Sequence, residues 1–286
     1  MSRHSLKTLV LASLALVAFA GNSVLCRLAL AEGVADPASF TAVRLASGAI
    51  VLMGLLAISS KPPTSSRGSW LASIYLLSYA GLFSFAYVSL DTATGALILF
   101  GAVQLTMIIV NIVRGQSLQS LEWCGFLLAV FGLVYLLLPE ISKPSISGFL
   151  MMLVSGIAWA GYTLKGQGSV NALADTAFNF SRTLPLLALL MVPILGTMQI
   201  SAEGLLLAFV SGALTSGVGY AIWYSALRGL STTRAAVIQL LVPILAAIGG
   251  VLFANEELST RLVVAAGLVL GGIMLVISSK SKTKNV

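Results

Sequence analysis

The sequence predicts an all-α integral membrane protein, with ten transmembrane helices arranged as two inverted five-helix repeats and both termini cytoplasmic. Three observations predict it. Of 286 residues, 58% are hydrophobic and 9% are charged, far from the balance of about 25% charged residues in soluble domains, and the mean hydropathy is +1.02. Apolar runs of a length that crosses a hydrocarbon core of about 30 Å recur near 7–29, 37–58, 69–90, 93–113, 120–138, 147–165, 174–198, 204–226, 232–253 and 259–278. The net charge of +7 is also unevenly spread. With cytoplasmic termini, the outer side holds only Arg27, Lys143 and Arg261 among the basic residues, whereas the inner side holds Arg3, Lys7, Lys61, Arg67, Arg114, Lys165, Arg228, Arg234 and the terminal Lys280, Lys282 and Lys284. That is the positive-inside bias of a multi-pass protein, and it removes nucleic acid as a partner for the basic charge.

The first run follows a basic start and resembles a cleavable leader in "LVLASLALV" and "AFAG". Its counterpart later in the chain favours a span. The second run carries Arg44, eight residues after Asp36, so the arginine Cα lies about 12 Å into the helix. In the third, Tyr75, Tyr79, Phe83 and Tyr87 recur every four residues on one slowly rotating face. The fourth contains Phe100 and Gln104, and the fifth Gly132. Trp159 and Tyr162 share a face of the sixth, as Phe19 and Asn22 do of the first. The seventh repeats the buried-charge feature with Arg182, seven residues after Asp175, and adds Pro185 and Pro193. Gly212, Gly217 and Gly219 in the eighth precede Tyr220, Trp223 and Tyr224; Gln239 and Pro243 lie in the ninth; Gly267, Gly271 and Gly272 lie in the tenth. The glycines suit close helix packing, and the prolines a static kink or a gating hinge.

The two halves, 1–141 and 142–286, are related by an internal repeat. "VAFAGNSVLCR" (17–27) aligns with "IAWAGYTLKGQ" (157–167) at an offset of 140; Arg44 pairs with Arg182, and "YVSL" (87–90) with "YSAL" (224–227) at 137. Five helices per half is an odd number, so the second half stands upside down relative to the first. Loop charges reverse accordingly: the Arg114 loop corresponds to the Glu256/Glu257 loop. Inverted repeats with a midplane site between them are a hallmark of secondary transporters.

"FAGNSVLCRLAL", the paired arginines, "Y-x-x-L" ending the third helix of each half and "LLVPILAAIGGVLFANEEL" (240–258) resemble the EamA-type branch of the drug/metabolite transporter superfamily over essentially the whole chain. Within that branch the chain looks most like an exporter of aromatic amino acids. The resemblance implies a cavity walled by the first four helices of each half, with the fifth and tenth helices peripheral. The first half departs from the family pattern, having Val103 where the second half has Pro243 and Gln116 where it has Glu256.

The candidate substrate-binding residues are Phe19, Asn22, Tyr79, Phe83, Phe100, Gln104, Trp159, Tyr162, Tyr220 and Tyr224. Aromatic faces stack on planar groups or hold cations, and the glutamine can hydrogen-bond an amino or carboxylate group; interhelical packing and hydrogen bonding are the competing readings. Arg44, Arg182, Pro185 and Pro243 are candidate gate or structural residues, each arginine reaching back toward its nearer interface or contacting a substrate or lipid head group. No catalytic or metal residues and no cofactor are expected. His4 is the single histidine, G-x-x-x-x-G-K-[ST], H-E-x-x-H and G-x-S-x-G are absent, and Cys26 and Cys124 fall near opposite faces. Asp and Glu are missing from span centres, which predicts downhill transport rather than proton coupling. The expected protein is a monomer in a bacterial-type inner membrane, its partners the bilayer and a small-molecule substrate, namely an aromatic or hydrophobic amino acid or related metabolite, or in the alternative a drug or organic cation.

Overall fold

A computed structural model describes residues 3–59, 67–115, 119–136, 145–167, 169–192, 196, 198–227, 229–230 and 238–283. Lys61, Gln116, Glu140, Lys143, Pro193, Arg228, Arg234 and Lys284 lie outside the described residues. The described chain runs through α1 (Arg3–Ala31), α2 (Pro37–Ala57), α3 (Trp70–Tyr87), α4 (Thr92–Val113), α5 (Ser120–Tyr135), α6 (Ile146–Gly166), α7 (Ala172–Met191), α8 (Ala202–Leu227), α9 (Leu241–Phe253) and α10 (Thr260–Thr283).

Six of these helices are both long and apolar enough to cross a bilayer: Leu6–Ala31 within α1, and α2, α3, α4, α6 and α8. Ser120–Tyr135, Leu241–Phe253 and Thr260–Val276 are apolar but shorter. α7 is long enough, but Asp175, Asn179 and Arg182 dilute its apolar character. The ten-span expectation therefore reduces to six clear spans plus shorter or more polar helices. Leu127, Phe131, Leu189, Leu252 and Phe253 are all more than half exposed, giving the outer faces the apolar character that lipid requires.

Helix starts follow local chemistry. Asp36 caps α2 by accepting from the N–H groups of Ala38 and Ser39, both at 2.9 Å, with Pro37 in the first turn; Ser69, Ser145, Asn171 and Ser201 cap α3, α6, α7 and α8 in the same way. Asp91 has the backbone of a cap for α4 but makes no capping bond. Glu256 supplies it instead from beyond α9, accepting from the Thr92 N–H at 2.9 Å.

Two elements differ from the periodic expectation. α8 is α-helical over Ala202–Val210, π-helical over Ser211–Val218, and α-helical again over Gly219–Leu227. In the π segment the bonds run between residues five apart, which brings Ser211, Thr215 and Ser216 toward one side. Gly212 accommodates a backbone crossing there, since a Cβ would stand 2.1 Å from the Arg44 carbonyl oxygen. Pro243 lies in the first turn of α9, because the chain turns at Leu240 and the helix begins at Leu241. Its missing N–H has no intrahelical partner to lose at that position, so it does not kink a continuous span. Pro185 is inside α7, as its sequence position requires.

Helix packing follows an exchange of helix n with helix n+5. α2 packs on α7, α4 on α9 and α5 on α10, while α1 packs on α8 and α9 just as α6 packs on α3 and α4. α5 and α10 touch through their backbones: a Cβ on Gly125 would meet the Gly272 carbonyl at 2.5 Å, and one on Gly272 the Gly125 carbonyl at 2.5 Å.

Two clasps join the halves at opposite ends. At the α1–α2 end, Ala35 bridges Ile200, Asp36 N–H donates to the Gln199 carbonyl at 2.9 Å, and Gln199 N–H donates to Asp36 Oδ2 at 2.6 Å. At the α6–α7 end, Asp175 accepts from Gly68 N–H at 2.8 Å, and Asn179 Oδ1 from Ser69 N–H at 2.9 Å. Partial burial pushes the Asp36 carboxyl up, but hydrogen bonds from the Ser39 hydroxyl and from Ser39, Gln199 and Ala38 N–H outweigh it and hold the group below its usual 3.8. Its stabilisation is thus present above pH 3.8 and lost as pH falls through the lowered value. Asp36→Ala should cost about 1 kcal/mol, read as a lower midpoint of unfolding in detergent near neutral pH, and the difference from the parent should vanish in strong acid.

Candidate functional site

Where α1, α3, α6 and α8 converge, their aromatic side chains fill the centre of the molecule. Phe19 meets Trp159 at 5.7 Å, Tyr220 at 5.7 Å and Trp223 at 5.6 Å between ring centroids, and stacks with Phe100 of α4 at 6.4 Å. Tyr79 and Tyr220 each approach Trp159, at 4.8 and 4.7 Å. All six rings are buried. Several of these contacts are edge-on, the arrangement favoured by ring quadrupoles.

Arg44 enters this cluster from α2. It is 1% exposed, and instead of reaching toward an interface it turns inward. Nε donates to Ser216 Oγ at 3.0 Å, while Nη2 donates to Tyr79 Oη at 3.1 Å and Tyr220 Oη at 3.0 Å. The guanidinium carbon lies 5.2 Å from the Tyr79 ring centre and 5.0 Å from that of Phe83. Asn22 braces these partners: its Oδ1 accepts from Ser211 at 2.7 Å, Ser216 at 3.3 Å and Thr215 at 3.4 Å, and its Nδ2 donates to Tyr79 Oη at 3.4 Å. Burying a charge costs several kcal/mol. Hydrogen bonds to a charged group return about 1.5–3 kcal/mol each, and the ring faces add cation–π attraction.

The remaining expected residues fall around this centre. Tyr162 stacks on Tyr224 at 5.6 Å and 23°, and Tyr224 Oη donates to the Tyr162 carbonyl at 3.2 Å. Tyr224 also borders a cavity of about 330 Å³ at the α6–α7 end, with Ser69, Lys165, Asp175 and Asn179. Gln104 is buried on α4, one turn beyond Phe100. Arg182 lies apart from the centre. It donates to the Arg67 carbonyl and sits over Trp70 at 5.7 Å and Phe178 at 5.9 Å, with Pro185 one turn further along α7. The repeat-paired arginines therefore have different surroundings: one is central, the other edges a clasp.

Sequence reasoning missed Ser211, Thr215 and Ser216; the π segment is what brings Ser216 to the side that Ser211 and Thr215 share. It also missed a charged cluster at the α1–α2 end. Arg27 Nε donates to Glu256 Oε1 at 3.1 Å, Nη2 to Asp91 Oδ1 at 3.1 Å and Nη1 to the Tyr87 carbonyl at 3.3 Å. The opposite signs at the ends of α1, α4 and α9 were the available signal.

The sequence model of the EamA-like transporter family matches residues 6–138 and again 146–278. The uncharacterized protein PA1977 of Pseudomonas aeruginosa is 49% identical over 274 residues, covering 96% of both chains. The threonine/homoserine exporter RhtA of Escherichia coli is 29% identical over 188 residues, 60% of each chain. A crystal structure with 19% identity covers 92% of this chain and 95% of its own at a TM-score of 0.62, a likeness of fold.

The Arg27 cluster makes a direct expectation. Removing Glu256 takes one of the two carboxylates from Arg27 and strands the Thr92 N–H, so Glu256→Ala should cost about 2 kcal/mol in SDS-induced unfolding from mixed micelles. A double-mutant cycle with Arg27→Ala should show coupling of about 1 kcal/mol or more; additive losses would mean that the two side chains act separately.

Proposed function

The chain belongs to the EamA-like transporter family, and on that premise we propose that it exports aromatic or hydrophobic amino acids and related small metabolites by alternating access through the central cluster. Family membership makes it a multi-pass membrane transporter of the bacterial inner-membrane type rather than an enzyme. The observation that carries the substrate reading is the meeting of Phe19, Tyr79, Trp159 and Tyr220 around a buried Arg44. Aromatic faces suit a planar apolar side chain, and the hydroxyl groups of Ser211, Thr215 and Ser216 suit a zwitterionic head.

Export of amino acids as a class is also supported by the likeness to RhtA, whose name records threonine/homoserine export. Organic cations, the second reading, fit less well, because a fixed positive charge at the centre opposes another. The basic residues favour a cytoplasmic α6–α7 end. The α1–α2 end then faces outward, with residues 1–141 and 142–286 as inverted repeats. We read the protein as a monomer that moves its substrate downhill, since the described span centres contain no Asp or Glu.

Efflux of phenylalanine, tyrosine, tryptophan, threonine and lysine from vesicles containing the purified protein tests this reading. Saturable counterflow with the three aromatic amino acids ahead of lysine is the expected result. Equal rates for all five would remove the aromatic assignment, and absence of counterflow would point to a pore. Uphill transport driven by a pH gradient, and abolished by neutralising one acidic residue, would overturn the downhill reading.

A further inference from the structure

The hydrogen bonds of the central cluster do not balance. Arg44 carries five N–H donors, of which Nε and Nη2 are met by Ser216, Tyr79 and Tyr220. Nη1 is buried and has no partner among the described residues. Two further buried donors in the same shell are unmet, Trp159 Nε1 and Trp223 Nε1. The acceptors that Arg44 contacts are already committed. Tyr79 Oη takes bonds from Arg44, Tyr220 and Asn22, and Asn22 Oδ1 takes them from three hydroxyl groups.

Charge is unbalanced in the same direction. The ion pairs among the described residues join Arg27 to Asp91 and Glu256 at one end of the molecule. Among the described residues no carboxylate is paired with Arg44, and its hydrogen-bond and ring partners are neutral hydroxyl groups and aromatic faces. A guanidinium remains protonated in a protein, so the cluster holds a permanent positive charge with two N–H groups of Nη1 to spare. Stranded donors beside an unpaired cation are costly, and what they lack is an anionic acceptor.

We propose that Arg44 is the carboxylate anchor of the transport site: Nη1 binds the carboxylate of the transported molecule and so restricts transport to carboxylate-bearing substrates. This rests on the central cluster being the transport site, and it adds the group that the site reads. The braced geometry supports an anchor, because three partners from α3 and α8 hold the guanidinium in place while leaving one arm unused. A lysine could supply the charge but not the planar fork.

The test compares whichever amino acid the wild-type vesicles export fastest with its amide and its decarboxylated amine as competitors. For phenylalanine these are phenylalaninamide and phenethylamine. Both neutral-carbonyl and carboxyl-free analogues should compete at least about tenfold more weakly than the acid, the loss expected for one charge-assisted bond. In Arg44→Gln the acid should fall to the level of the amide, while Arg44→Lys should keep part of the preference. If acid and amide compete within about twofold in the wild type, the anchor is refuted and amino acid export stands. If the wild type exports no amino acid, the functional reading fails and the anchor fails with it. Where Arg44→Gln does not fold, Arg44→Lys decides the assignment: an acid preference equal to that of the wild type would refute the anchor.

Discussion

The centre of this protein is organised by the need to satisfy one buried guanidinium with neutral hydroxyl groups and ring faces. Arg44 belongs to the first half, but two of its three hydrogen-bond partners, Ser216 and Tyr220, belong to the second. The charge can be accommodated only when α2, α3 and α8 stand together. Gly212 permits the approach by leaving room for the Arg44 carbonyl, and the π segment directs Ser216 to Arg44 while Ser211 and Thr215 reach Asn22. Separating the halves would strip the guanidinium of two acceptors. Its solvation therefore couples the polar state of the centre to the contact between halves.

Around this point the repeat holds in helix order and breaks in chemistry and in local backbone, since α8 carries a π segment and α3 does not. At the offset of 137 that pairs Tyr87 with Tyr224, Tyr79 corresponds to Ser216 and Phe83 to Tyr220. Arg44 thus sits among two repeat-related pairs, with one hydroxyl group from each half at the first pair and a ring from each at the second. Arg182, its own counterpart, leaves the axis for the Arg67 carbonyl. The end clasps keep the symmetry better: Asp36 and Asp175 each grip backbone N–H groups of the opposite half. Duplication supplies the scaffold, and a single unpaired arginine makes the centre asymmetric.

These levels differed in how plainly the sequence displayed them. Long apolar runs with capping residues at their starts, such as Asp36 before α2 and Ser201 before α8, mark helices through local rules that tertiary contacts do not override. α7 was harder, because Asp175, Asn179 and Arg182 lower its hydropathy while serving contacts made across the chain. The aromatic ladder of α3 named Tyr79 and Phe83 by spacing alone. The role of Ser216 was hidden, since α periodicity turns it away from Ser211 and Thr215 and the π turn brings it back to their side. The depth of Arg44 along its helix was legible, but the direction of its side chain was not: one arginine at a given depth can turn toward the interface or inward, and only Tyr79, Tyr220 and Ser216 decide between them.

The two ends also resist opening differently. At the α1–α2 end, Arg27, Asp91, Glu256 and Thr92 form a network in which the Glu256 side chain is 9% exposed, so separation there must return charges to water against their mutual attraction. At the α6–α7 end, the clasp consists of carboxylate and amide oxygens accepting from loop N–H groups, beside a polar cavity. Water can replace those bonds one by one at lower cost. The repeat explains the difference, because Gln167 and Gln116 stand in the second and first halves where Arg27 and Glu256 stand in the others. With the orientation proposed above, the more easily hydrated end faces the cytoplasm, and the charged lock faces outward. Access from inside would then precede release outside, and a carboxylate arriving at Arg44 would take the unused Nη1 while Ser216 and Tyr220 keep the halves in contact through Nε and Nη2.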